Sequence, residues 1–383
     1  MPFFNEPVET STTKSKKPQS QYDYTLEDCF DRGIPVTSIE FNPPPVSGLE
    51  KMEPAYWRNL QEPDEQDRKV LQSLAQKAKH IEHCQASDTF LSITDSAAGV
   101  LRMHNLTMIG LLSDPQFTER WLQLEPLVWN PRRIIVHLTR NHNIPWLKKF
   151  LRQCRHLGYT QLLLITGDPL KEVRYTPVDA ATAMAMDEEE GARHRLKNSV
   201  ELLKFVREEG PDFFVGAGHN PFLKQTAAEK HLLRKVEAGT RFLITQPVSY
   251  YEECWRVMDI FAKFQAEKAI DIPVILGVFN YSVPCGSKGF REEVFQKRYK
   301  FWKKLFGFVP DGVRSDYERG LNGIEILARS INKLKQKGYY HFDVMNAERN
   351  GARVLQNRQR LTHESDRLAG SFDASVRSQS HIA

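Results

Sequence analysis

Residues 212–246 constrain the fold more than any other stretch. An apolar run closed by glycine, Phe213-Phe214-Val215-Gly216-Ala217-Gly218, reads as a short strand buried on both faces. His219-Asn220-Pro221-Phe222 follows, and from 227 to 236 the pattern turns helical. Leu232, Leu233 and Val236 share a stripe there, with Glu229, Lys230 and Lys235 facing away. Gly239 stands where a helix stop tolerates positive φ. The apolar run then resumes as Phe242-Leu243-Ile244 and ends on Thr245 and Gln246. A strand–helix–strand unit of this length requires parallel strands. Polar residues just past a strand's carboxyl end face the ligand side of such units. Gln246 is either one of these or the cap of a loop.

The same rhythm runs along the chain. Residues 36–41 form a first strand, stopped by Asn42 and three prolines that cannot continue a ladder. Glu40 within it is either solvated at an edge or a buried acid of raised pKa, suited to donate a proton. A helix over 67–80 leads to a strand at 90–94 and the small-residue loop Asp95-Ser96-Ala97-Ala98-Gly99, a plain turn or a place for a ligand to approach the backbone. After a helix near 119–124, residues 133–138 form strand three, with His137 near its end, followed by Thr139, Arg140 and Asn141. A helix over 146–157 precedes strand four at 161–166, which ends in Gly167-Asp168-Pro169; Asp168 caps a turn or points into the mouth of the fold. Residues 170–191 break the rhythm as a long excursion, and its acidic cluster at 187–190 reads as a helix start, since adjacent carboxylates do not surround a metal.

Beyond the opening unit come helices over 196–206 and 251–264, a strand at 273–278, a loop over 279–289, and a basic aromatic helix over 290–306. The basic side chains of that helix make a solvated face or meet a polyanion. An amphipathic stripe over 321–334, a last strand at 339–344 and a short helix to 356 complete the pattern. Eight strands alternating with helices predict a single (β/α)8 TIM barrel over 32–358, between flexible tails at 1–31 and 359–383. An open doubly wound sheet would want a glycine-rich turn after its first strand, where this chain has prolines. In a barrel, Glu40, Asp95, His137, Asp168 and Gln246 converge on one mouth.

A formal charge of +5 over 383 residues is too small to argue for nucleic acid and suits an anionic ligand. Five scattered cysteines without a Cys-x-x-Cys pair point to a reducing compartment, with no zinc knuckle. No run reaches ~18 apolar residues and no secretory signal opens the chain, so the expectation is a cytoplasmic protein that does not use a membrane.

The chain resembles the catalytic barrel of methylenetetrahydrofolate reductases, closer to the type in anaerobic bacteria and archaea. The resemblance rests on Ser38-Ile39-Glu40-Phe41-Asn42-Pro43-Pro44, His137-Leu138-Thr139, Thr166-Gly167-Asp168-Pro169, Asn220-Pro221-Phe222, the run from Leu233 to Gly239, Ile244-Thr245-Gln246 and His341-Phe342-Asp343-Val344-Met345-Asn346. It implies a flavoenzyme of one-carbon metabolism and methionine biosynthesis that uses FAD to reduce a tetrahydrofolate derivative, with NAD(P)H as electron donor. Glu40 then matches the general acid, Asp168 the aspartate between folate and flavin, and Gln246 a folate ligand. Asp95, Ser96, His137, Thr139, Gly167, Asp168, Arg234 and Lys235 match flavin-site positions, the last two suited to the diphosphate. Several positions depart from the pattern: Asn42, Thr166, Ala228, His231 and Ala347 replace an aromatic, an arginine, an Asp, an Asn and an arginine. The core of the site is thereby kept better than the flavin cradle. A folate-binding subunit fed by an electron-transfer partner protein, a homo-oligomer and a non-catalytic barrel all remain open on these residues.

Overall fold

The computed structural model describes residues 23–86, 89–95, 100–167, 196–282 and 292–346. Its eight strands are β1 (Thr37–Phe41), β2 (Phe90–Ile93), β3 (Ile134–Thr139), β4 (Gln161–Ile165), β5 (Phe214–His219), β6 (Phe242–Thr245), β7 (Val274–Phe279) and β8 (Phe342–Met345). Each pairs in parallel with its sequence neighbour, and β8 closes on β1, giving the expected barrel. β1 is therefore not an edge strand.

Side chains alternate about each strand. On β3, Val136 and Leu138 join the outer core against the helices, while Ile135 points inward with Leu163, Phe242, Ile244 and Ile275. The outer helices supply the complementary stripes. In the helix Ile144–His156, Trp146, Leu147, Phe150, Leu151 and Cys154 recur at three- and four-residue spacing and are all buried. Each fully buried leucine of this kind contributes about 2 kcal/mol. Inside the barrel, Gly216 leaves room for a ring: a Cβ there would stand 2.3 Å from Cζ of Phe242.

The N-terminal end of the barrel corrects one expectation. Residues 26–31, expected as flexible tail, form the helix Leu26–Asp31, opened by a capping box between Thr25 and Asp28. Leu26 and Cys29 pack among the inward residues of β2 to β7, and the Leu26 amide donates to Oε1 of Gln161 on β4. The helix thus covers the floor of the barrel. Further helices went unforeseen, among them Pro54–Arg58, Asn105–Ser113 and Gly312–Glu318.

Lys235 is the second correction. In the helix Gln225–Glu237 it lies three residues from fully buried Leu232, hence on the inner side, and it is 9% exposed. Its Nζ donates to the carbonyl of Gly218 on β5. The excursion at 170–191, the loop around Pro284-Cys285-Gly286, the helix to 356 and most of both tails lie outside the described residues. Cys29, Cys84, Cys154 and Cys254 are buried thiols outside any disulfide. No helix among the described residues is long and apolar enough to cross a membrane.

Candidate functional site

At the carboxyl ends of the strands a cavity of about 520 Å³ opens. Glu40, Asp95, His137, Gly167, Lys235 and Gln246 all line it, as do Asn42, Thr166 and Asn220. The strand-end rule explains the convergence, because closing the sheet turns separate strand ends into one ring. Glu40 is half-buried and Asn42 Nδ2 donates to its Oε1 at 3.4 Å. Ser96 and Asp168 lie outside the described residues. Thr139 is fully buried behind the wall, and Arg234 is exposed and absent from the lining.

Asp95 is organised by what surrounds it. One oxygen, Oδ2, accepts from the Thr139 amide at 3.0 Å, the Thr139 hydroxyl at 2.7 Å and His142 Nε2 at 2.8 Å. Burial alone would raise its pKa, but the charge and hydrogen bond of His142 outweigh it and hold the carboxyl well below the usual range. The His142 ring stacks on Trp146 at 3.7 Å, and buried His104 stands beside both. Ligating atoms of Asp95, His104 and His142 come within 4.8 Å of one another. With three donors already on Oδ2, this cluster works as a strut tying the end of β2 to the end of β3. Gly167 has φ +72°, and a Cβ on it would stand 2.8 Å from the Thr139 side chain, so the end of β4 also depends on this packing.

Burial sets the charges of the remaining groups. It lowers His137 to about 4 and His219 to about 3, the latter helped by Lys235 and His231. Both imidazoles are neutral at pH 7. Lys235 is pushed down to about 8 by burial, and no acidic side chain pairs with it among the described residues. A lysine held this way on a cavity wall attracts an anion.

Several lining residues escaped the sequence analysis. Arg102 reaches the cavity while its Nη1 donates to the carbonyl of Pro43 at 2.8 Å. From the basic helix Glu292–Phe306, Arg298 lines the cavity with Phe301, Trp302, Leu305 and Phe306, while Lys297, Lys300, Lys303 and Lys304 are exposed. Asp343, inside β8, also lines it. The signal for Asp343 was available, since an acid within an apolar strand had already singled out Glu40.

Comparison with known proteins adds three findings. The family model described as methylenetetrahydrofolate reductase matches residues 65–359. The curated protein "Methylenetetrahydrofolate reductase 2" of Schizosaccharomyces pombe is 27% identical over 255 residues, which are 59% of this chain and 36% of that protein. The chain therefore spans about a third of the length of that relative. A solved structure described as "Uncharacterized protein from Clostridium thermocellum binds two copies of 5-methyl-5,6,7,8-tetrahydrofolic acid" covers 84% of this chain and 93% of its own, at 17% identity and a TM-score of 0.47. A likeness that slight carries no functional weight.

Proposed function

This chain belongs to the methylenetetrahydrofolate reductase family, and on that premise we propose that it is a flavin-dependent oxidoreductase converting 5,10-methylenetetrahydrofolate to 5-methyltetrahydrofolate. The observation that carries the reading is the convergence of Glu40, His137, Lys235 and Gln246 on one cavity. Glu40 is the proton donor. Opening the folate's five-membered ring to an iminium requires protonating a ring nitrogen, which a half-buried carboxylic acid at the mouth can do. Asn42 Nδ2 donates to one oxygen of that carboxyl, orienting it at the mouth. Gln246, just past the end of β6, supplies an amide able both to donate and to accept toward the pterin. Asp168 keeps the role implied by the resemblance, between folate and flavin.

The residues present fit a flavin. Lys235 offers a cation without an acidic partner, and the unpartnered Nε2 of His219 offers a further polar contact at the same wall. Lys235, His137 and Gly167 would hold the group, which when bound supplies hydride transfer. Asp95 and Thr139 keep the ends of β2 and β3 in place beside it.

The test is an anaerobic visible spectrum of the purified protein, before and after adding 5-methyltetrahydrofolate. A yellow protein that bleaches supports the reading. A colourless protein that takes up no added FAD refutes the flavin and favours a folate-binding subunit. Glu40→Gln should keep FAD and lose about 10²-fold or more in turnover; unchanged turnover would remove Glu40 from the chemistry.

A further inference from the structure

Asp343 is fully buried on β8, yet only half of its carboxyl is satisfied. Oδ1 accepts from Ser38 Oγ on the paired strand β1 at 2.5 Å. Oδ2 has no hydrogen-bond partner. Ser92 lies near enough to favour the charged form, but its Oγ is 2.6 Å from Nε2 of His137. The other titratable groups around the barrel interior are Glu40 on β1, His137 on β3 and His341 one layer below on the approach to β8. Lys235, Arg102 and Arg298 line the same cavity, but none forms an ion pair with Asp343 among the described residues, and burial disfavours protonation of both His137 and His341.

A buried carboxyl without a paired cation keeps its proton more readily than an exposed one. Burial raises Asp343 to about 6 against the opposing hydroxyls of Ser38 and Ser92. Since Oδ1 already accepts, the proton belongs on Oδ2, the orphaned oxygen. A buried donor without an acceptor costs about 1–3 kcal/mol, and such groups call for a completing partner. The residue lines the mouth cavity, so that partner can come from a ligand.

We propose that Asp343 is a ligand-binding acid at the floor of the mouth, donating a hydrogen bond from Oδ2 to a carbonyl oxygen or ring nitrogen of a heteroaromatic ligand. Ser38 and Ser92 are its positioning residues. This rests on the reading of the mouth as a folate site and adds to it a hydrogen-bond donor distinct from Glu40. A neutral carboxyl in an apolar setting is chemically suited to such donation.

Two measurements test it. In ligand-free protein carrying ¹³C-labelled aspartate carboxyls, one resonance should titrate near pH 6 and be missing from Asp343→Asn. Absence of any such resonance between pH 5 and 7 would overturn the proposal, whatever the mouth binds. Calorimetric titration with 5-methyltetrahydrofolate under anaerobic conditions should show wild-type affinity falling about tenfold from pH 5.5 to 8, the loss of one hydrogen bond. Asp343→Asn keeps an N–H donor and should lack this pH dependence, while Asp343→Leu should bind weakly at both pH values. Leucine binding as tightly as wild type would overturn the proposal. If the folate does not bind but the resonance is present, the folate reading falls and the acid stands.

Discussion

Acidifying this protein from pH 7 to pH 5 should cost about 5 kcal/mol of stability, and the cost follows from three imidazoles. His104, His137 and His219 are held at about 3, 4 and 3, with burial the first cause in each. A depressed folded pKa contributes stability that is fully present above the unfolded value, about 6.5, and is lost as pH falls toward the folded one. At pH 5 the unfolded chain has protonated all three and the folded chain almost none. Each then costs about 2 kcal/mol, or about 6 together. Asp343 works in the opposite direction, gaining about 1 kcal/mol as pH falls through its raised value of about 6. Carboxylates with depressed values, such as Asp95 and Asp28, lose their contribution only below their unfolded range near 4, while His231 and His341, also lowered by burial, add to the loss in the same sense. A net loss of about 5 kcal/mol is a large share of a typical 5–15. Urea unfolding followed by tryptophan fluorescence at pH 7, 6 and 5 measures it, with the slope against urea held constant. In His219→Phe the ring can still stack on Phe261, 4.7 Å away in wild type, and the unpartnered Nε2 is removed. That variant should recover about 2 kcal/mol of the loss at pH 5. Stability that is flat over this window, or a His219→Phe protein with the wild-type pH slope, would refute the reasoning.

Further outcomes are expected at single positions. The raised pKa of Asp343 favours the fold at low pH and is a liability once pH passes about 6. Asp343→Asn should therefore be more stable than wild type at pH 8, by up to about 3 kcal/mol, with no gain at pH 4, as chemical denaturation would show. Lys235 is depressed to about 8, so its contribution is lost as pH falls from its unfolded range through that value. Lys235→Met should gain about 2 kcal/mol at pH 7 after losing the bond to Gly218, and should weaken FAD in a fluorescence titration. Leu26→Ala, at the floor of the barrel, should lose about 3 kcal/mol in thermal or urea unfolding; an unchanged protein would return residues 26–31 to the tail.

The barrel was legible because its strands are apolar runs punctuated by polar ends, and their observed bounds lie within three residues of the expected ones. The helices that were missed lack a readable period. Leu26–Asp31 has only six residues and two buried positions. Asn105–Ser113 is apolar on nearly every side, and a helix buried all round carries no stripe. The strand-end rule located Glu40, Asp95, His137 and Gln246, but it could not reach Arg298 or Phe301, which enter from a helix beyond β7. Lys235 was misread because its charge suggested solvent, although its place in the helical turn pointed inward. In that case geometry prevailed over charge, and a backbone carbonyl made it tolerable.

The helix Leu26–Asp31 makes the barrel a vessel packed at its floor and open at its mouth. Its buried side chains stop the floor, and the inner acids Glu40 and Asp343 face the mouth cavity. A ligand filling that mouth is then also a stopper. While it is bound, Glu40, His137 and Asp343, which line that mouth, lie beneath it, and their exchange of protons with solvent through the mouth is slowed.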